Sequence, residues 1–122
     1  MSLKPEQILQ INLINWFRFK FPDLADDLHH FANERKCSFD EGRKLKRMGV
    51  TKGVSDLFLA LPLNGFHGLW IELKTEKGKL KHEQMEFIER KNQRGYVAIA
   101  VWGLETAQKI IIDYLRDKNK QL

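Results

Sequence analysis

One cysteine, Cys37, occurs in 122 residues, which excludes an intramolecular disulfide and any cysteine-built zinc cage and fits a reducing cytoplasm. No Cys–His spacing surrounds it, so it reads as an inert small side chain. No apolar run approaches the roughly 20 residues needed to cross a bilayer. The opening Met1-Ser2-Leu3-Lys4-Pro5-Glu6 lacks the charged-then-apolar layout of an export signal. The expectation is a soluble, unexported protein with no membrane partner. There are only three prolines, and no repeat, low-complexity tract or linker divides the chain, so 1–122 reads as one domain able to build its own core. A composition of 43% hydrophobic and 30% charged residues is that of a globular chain. Acidic residues are outnumbered 16 to 21, leaving a net charge of +5 that favours a polyanionic partner, most simply nucleic acid. The excess is concentrated in 35–52, where Arg35, Lys36, Arg43, Lys44, Lys46, Arg47 and Lys52 face only Asp40 and Glu41.

Pro5 suits the first turn of a helix, and Ile8, Leu9, Ile11, Leu13, Ile14, Trp16 and Phe17 continue it to about residue 21, where Pro22 ends it. These apolar positions wrap most of the circumference, so the helix needs cover on more than one side, from its own core or from a second subunit. A short helical turn is expected after Pro22, a short strand over 28–32, and a basic helix over 40–48 with acids in its first turn. Strands over 56–61 and 69–74 flank the turn Pro62–Gly68. Beyond the loop 75–79 comes a helix over 81–93 that places Gln84, Phe87, Ile88 and Lys91 on one side. Tyr96–Trp102 has no polar interruption and reads as a strand buried on both faces. A last helix starts near Leu104 and buries Ala107, Ile110, Ile111, Tyr114 and Leu115. A helix crossing to a buried strand predicts an α/β fold of three layers, a mixed central sheet flanked by helices.

The chemistry gathers around Gly53-Val54-Ser55-Asp56 and Ile71-Glu72-Leu73-Lys74. In a strand, i and i+2 share a face, so Glu72 and Lys74 point the same way, and Asp56 joins them if the two runs pair as a hairpin. Hydrolysis of a phosphodiester needs a positioned phosphate, an activated water and charge to stabilise the leaving oxygen. A magnesium-like ion on one or two carboxylates can supply these, with Asp56, Glu72 and the backbone carbonyl of Leu73 as oxygen donors. Lys74 beside it can orient water and counter phosphate charge. A surface salt bridge produces the same Glu-x-Lys pattern, and these residues alone do not separate the two. His29-His30 near Asn33 would suit a His-Asn-His nuclease, but a downstream metal-binding histidine at suitable spacing is missing.

The ordered set Asn33-Glu34, Gly53-Val54-Ser55-Asp56-Leu57-Phe58, Ile71-Glu72-Leu73-Lys74-Thr75-Glu76-Lys77-Gly78 and Glu83-Gln84 resembles the PD-(D/E)xK nuclease superfamily. Within it, the chain is similar to the VRR-NUC (virus-type replication-repair nuclease) family over about residues 28–112. The resemblance implies a restriction-endonuclease-like fold, Asp56 and Glu72 as ligands of Mg²⁺ or Mn²⁺, Lys74 as the catalytic lysine, and Glu34 and Gln84 beside them. It implies a metal-dependent DNA endonuclease leaving 5′-phosphate and 3′-hydroxyl ends, with no organic cofactor. Small members are often virus-encoded and dimeric, which implies a homodimer acting on branched DNA such as a four-way junction in viral replication, recombination or repair, in the host cytoplasm. A dimer would also cover the N-terminal helix. Arg35, Lys36, Arg43, Lys44, Lys46, Arg47 and Lys52 on one side, and Lys77 and Lys79 on the other, would then bind the DNA backbone. Ser55 departs from the proline common before the aspartate, and Lys81 from a helix-capping Ser or Thr. A non-catalytic DNA-binding module keeping the same fold is the competing expectation.

Overall fold

The computed structural model describes residues 2–31 and 38–116. Helix α1 (Pro5–Lys20) starts with Pro5 at its first position, and Gln7 Oε1 accepts the N–H of Lys4 at 2.8 Å, so the side chain three residues on satisfies a donor before the helix. A 3₁₀ turn, Pro22–Asp27, leads into strand β1 (Leu28–His30). Next comes α2 (Phe39–Arg47), capped by Ser38 Oγ accepting from Glu41 N–H at 3.1 Å. Strands β2 (Leu57–Leu59) and β3 (Leu69–Lys74), helix α3 (His82–Gln93), strand β4 (Val97–Trp102) and helix α4 (Leu104–Leu115) complete the order. Between β2 and β3, Asn64 and Gly65 both take positive φ, 55° and 86°, which is the backbone of an Asn-Gly hairpin turn.

The strands lie in the order β1-β2-β3-β4, antiparallel except for the parallel β3–β4 pair, as the α3 crossover requires. Strand alternation sorts the side chains. Leu57, Leu59, Leu69, Ile71, Leu73 and Val101 face Leu13 and Phe17 of α1 and Ala107, Ile111 and Tyr114 of α4. Trp70 and Ala98 face Phe87 of α3 on the other side. The result is the expected mixed sheet with helices on both faces. Trp70 stacks on Phe58 with ring centroids 4.2 Å apart and meets Phe87 edge-on at 5.0 Å, which fixes α3 to the sheet.

One strand differs from expectation. β4 is an edge of the four-stranded sheet; Ala98 and Val101 are buried, but Trp102 is exposed. Its two faces do meet α3 and α4, which explains the uninterrupted apolar run, yet as the last strand it is only half covered. The Asn92 side chain closes that edge by bonding both the N–H and the carbonyl of Ala98 at 2.9 Å. The strand buried on both faces is β3. In α4, Ala107, Ile111 and Tyr114 are buried, whereas Ile110 and Leu115 are half-buried. Among the described residues, no helix is long and apolar enough to cross a membrane.

Candidate active site

β3 carries a carboxylate into the middle of the protein. Glu72 is 2% exposed, with Lys74 Nζ at 3.7 Å from its Oε2 and itself largely covered. Leu57 pairs with Ile71, so the same register sets Asp56, one residue before β2, opposite Glu72. Asp56 is buried too, and its Oδ2 accepts the N–H of Leu73 at 3.0 Å. A strand residue directs its N–H and C=O to the same side, so the Leu73 carbonyl opens toward Asp56 as well. Two buried carboxylates, of which among the described residues only Glu72 is paired with an ammonium, are a poor arrangement for a surface salt bridge, because removing carboxylates from water is costly unless positive charge compensates them.

The surroundings hold these groups in place. Gly53 has φ +83°, and a Cβ there would come within 2.2 Å of the Glu83 carbonyl oxygen, so the segment leading to Asp56 lies directly on the first turn of α3. Gly78 lies over Lys74, where a Cβ would meet Lys74 Cβ and Cδ at 3.4 Å, and its carbonyl accepts Trp102 Nε1–H at 2.8 Å. Gln84 Oε1 accepts the Lys81 N–H at 2.9 Å, the same device that starts α1. Gln84 therefore caps α3 at the place where the Gly53 segment packs, and it makes up for the missing Ser or Thr at Lys81.

On the α1 side, a cleft of about 240 Å³ is lined by Glu6, Gln10, His30, Asp56 and Leu73 among others. The Asp56 carbonyl accepts from Phe31 N–H at 2.8 Å and from His30 Nδ1 at 2.9 Å, so His30 carries its proton on Nδ1 and leaves Nε2 as the second ring nitrogen. His30, expected to line the pocket, does so because β1 pairs with β2 and sets it beside Asp56. Glu6 does not stand out in the sequence and joins the cleft only through the packing of α1 against the end of the sheet. Glu34, Arg35 and Lys36 lie outside the described residues. Arg43, Lys44, Lys46, Arg47, Lys52, Lys77 and Lys79 are all exposed. His82 pairs with Glu86 on the surface of α3.

Among the described residues, no three His, Cys, Asp or Glu side chains cluster closely enough to form a protein cage for a metal. Two carboxylates with an adjacent backbone carbonyl nevertheless fit a hard cation that takes its remaining ligands from water and phosphate, the usual habit of Mg²⁺.

Among curated proteins nothing matches the sequence. A solved structure described as a VRR_NUC domain protein superposes with a TM-score of 0.81 at 28% identity, covering 94% of this chain and 91% of that one. The model of the VRR-NUC domain matches residues 4–103, a span that contains Glu6, His30, Asp56, Glu72, Lys74 and Gln84. With this fold and this match over most of its length, the chain belongs to the VRR-NUC family, a family of nucleases.

Proposed function

We propose that the protein is a Mg²⁺- or Mn²⁺-dependent DNA endonuclease that hydrolyses phosphodiester bonds at branched DNA. The observation that carries this reading is the burial of Glu72 with the largely covered Lys74 ammonium 3.7 Å from it on β3, and Asp56 anchored opposite on the Leu73 N–H. Asp56, Glu72 and the Leu73 carbonyl would hold the ion, which when bound supplies Lewis-acid polarisation of the phosphate. The chain's own residues do the rest. The Lys74 ammonium, held by Glu72 and roofed by Gly78, is placed to orient the attacking water and to balance charge growing on the phosphoryl oxygens. His30 and the Leu73 N–H fix Asp56 through its carbonyl and carboxylate, so its geometry is set before substrate arrives. Glu6 adds an acidic group on the cleft side of Asp56, in addition to the Glu34 implied by resemblance. Gln84, with its oxygen engaged in capping, has its amide group to offer a phosphate or water. The exposed cations of α2, with Lys52, Lys77 and Lys79, hold the DNA backbone.

The test is incubation of the purified protein with supercoiled plasmid and a synthetic four-way junction, with and without Mg²⁺ or Mn²⁺. Cleavage should require the metal and leave 5′-phosphate ends, and Lys74→Ala should lower the rate by about 100-fold or more, the scale of losing one transition-state donor. Equal cleavage by that variant would overturn the reading. Binding without cleavage by the natural sequence would leave a non-catalytic DNA-binding module in its place. The same reading includes a homodimer formed through the outer face of α1.

A further inference from the structure

Helix α2 stands apart from the three layers. None of its residues is buried, only Gly42 and Leu45 are half-buried, and the polar contacts described for it are local. A helix that only neutralised phosphates would need nothing beyond its Arg43, Lys44, Lys46 and Arg47. Yet Phe39 is 80% exposed and Met48 70% exposed. Both sit beside cations. The Arg43 guanidinium lies over the Phe39 ring, 4.9 Å from its centroid, while its Nη2 pairs with Asp40 at 2.6 Å. Met48 lies with Lys44 and Arg47 around an open dip in the surface.

Each end of α2 thus combines positive charge with a polarisable apolar group, matching the two chemistries of a nucleotide, an anionic phosphate and a flat base face. In an intact duplex the base faces are stacked and out of reach, so Phe39 and Met48 gain a partner only where bases are unpaired or splayed. A bilayer fits less well. At about 100° per residue, positions 39 and 48 fall on opposite sides of the helix, leaving no single apolar stripe to sink into lipid. Only the short connection from Gly49 to Ser55 separates the end of α2 from Asp56, so α2 is tethered to the candidate site.

We propose that α2 is a nucleic-acid arm that uses Phe39 with Arg43, and Met48 with Lys44 and Arg47, to hold unstacked nucleotides at a break or branch in a duplex. This rests on the reading that the chain acts on DNA, and it names the feature of the substrate that α2 recognises.

Fluorescence anisotropy in EDTA tests it, using the full chain with a perfect duplex and with the same duplex interrupted by a short single-stranded gap. The natural protein should bind the gapped DNA more tightly. The double variant Phe39→Ser, Met48→Ser should lose about tenfold on gapped DNA, the scale of one stacked base, and less than about twofold on intact duplex. Lys44→Ala with Arg47→Ala should weaken both and flatten the salt dependence. Both serine substitutions fall at exposed positions, and unchanged thermal melting by circular dichroism would confirm that the variant is folded. Equal losses on the two DNAs, no loss on either, no preference for gapped DNA by the natural protein, or binding only to vesicles of anionic phospholipid would overturn the proposal. The assay contains no metal, so its outcome is independent of cleavage. A protein that cuts but ignores the gap sinks this proposal alone, and one that prefers the gap but never cuts sinks only the nuclease reading.

Discussion

Gly53 carries more of the candidate site than any of its acidic residues would suggest. Its φ of +83° disfavours a side chain, and the space a Cβ would need is held by the Glu83 carbonyl, backbone of α3 that has little room to yield. Gly53→Ala should therefore push the segment ending at Asp56 off α3. The expected loss is about 2 kcal/mol of stability from strain and displacement together, measured by urea unfolding. Because a misplacement of about 1 Å can cost 100-fold in rate, kcat should fall on that scale with KM little changed. At this scale the sequence was legible for Asp56, Glu72 and Lys74, because strand alternation and a hairpin register place them without knowledge of the rest of the fold. His30 was legible as a pocket residue, and the β1–β2 register sets it beside Asp56. Glu6 was not legible, because no local period links residues 6 and 56 and only the docking of α1 against the sheet end brings them to one cleft.

Elements were easier to read than their burial. The helices and strands follow from their apolar periods and their Pro and Gly punctuation, but β4 shows that an unbroken apolar run reports the chemistry of two faces and not the number of neighbouring strands. α4 makes the same point from the other side. Periodicity assigns Tyr114 to its core face, yet the job of its hydroxyl depends on a remote loop. Tyr114 Oη–H donates to the Leu61 carbonyl at 2.6 Å, and Asn64 Nδ2 donates to the carbonyls of Tyr114 at 3.3 Å and Arg116 at 3.0 Å, so the end of α4 is tied to the turn after β2. Burial raises the Tyr114 hydroxyl above its ordinary 10.0, with the Leu63 backbone offsetting part of the effect. The folded protein thus keeps this proton more tightly than the unfolded chain. Its contribution is complete below pH 10.0 and is lost as pH rises through the raised folded value. Tyr114→Phe should cost about 1 kcal/mol at neutral pH and should remove that part of the alkaline decline, both readable from denaturant melts across a pH series.

For the molecule as a whole, the open question is what covers the outer side of α1. Leu13 and Phe17 are buried, while Ile8, Ile11 and Phe19 are 45%, 43% and 89% exposed and fall on one stripe at helical spacing. A two-fold pairing of such stripes presents the same patch to itself, the commonest way soluble chains associate. Ile11 also lines the cleft beside Asp56, so a partner helix seated there would form part of the rim of each candidate site. Light scattering after gel filtration should give twice the 14.4 kDa of one chain. Ile8→Glu with Phe19→Glu should reduce it to the single-chain mass, because each charge would be buried unpaired in the contact. Both positions are exposed in the single chain, so the variant should keep its circular dichroism, and its melting temperature should fall only by what association contributes and lose its dependence on protein concentration. The DNA product then carries the consequence. A dimer can cut both strands of a junction within one encounter, whereas the monomeric variant should accumulate singly nicked junctions. A natural protein that is already monomeric, or a variant that still dimerises, would overturn this arrangement.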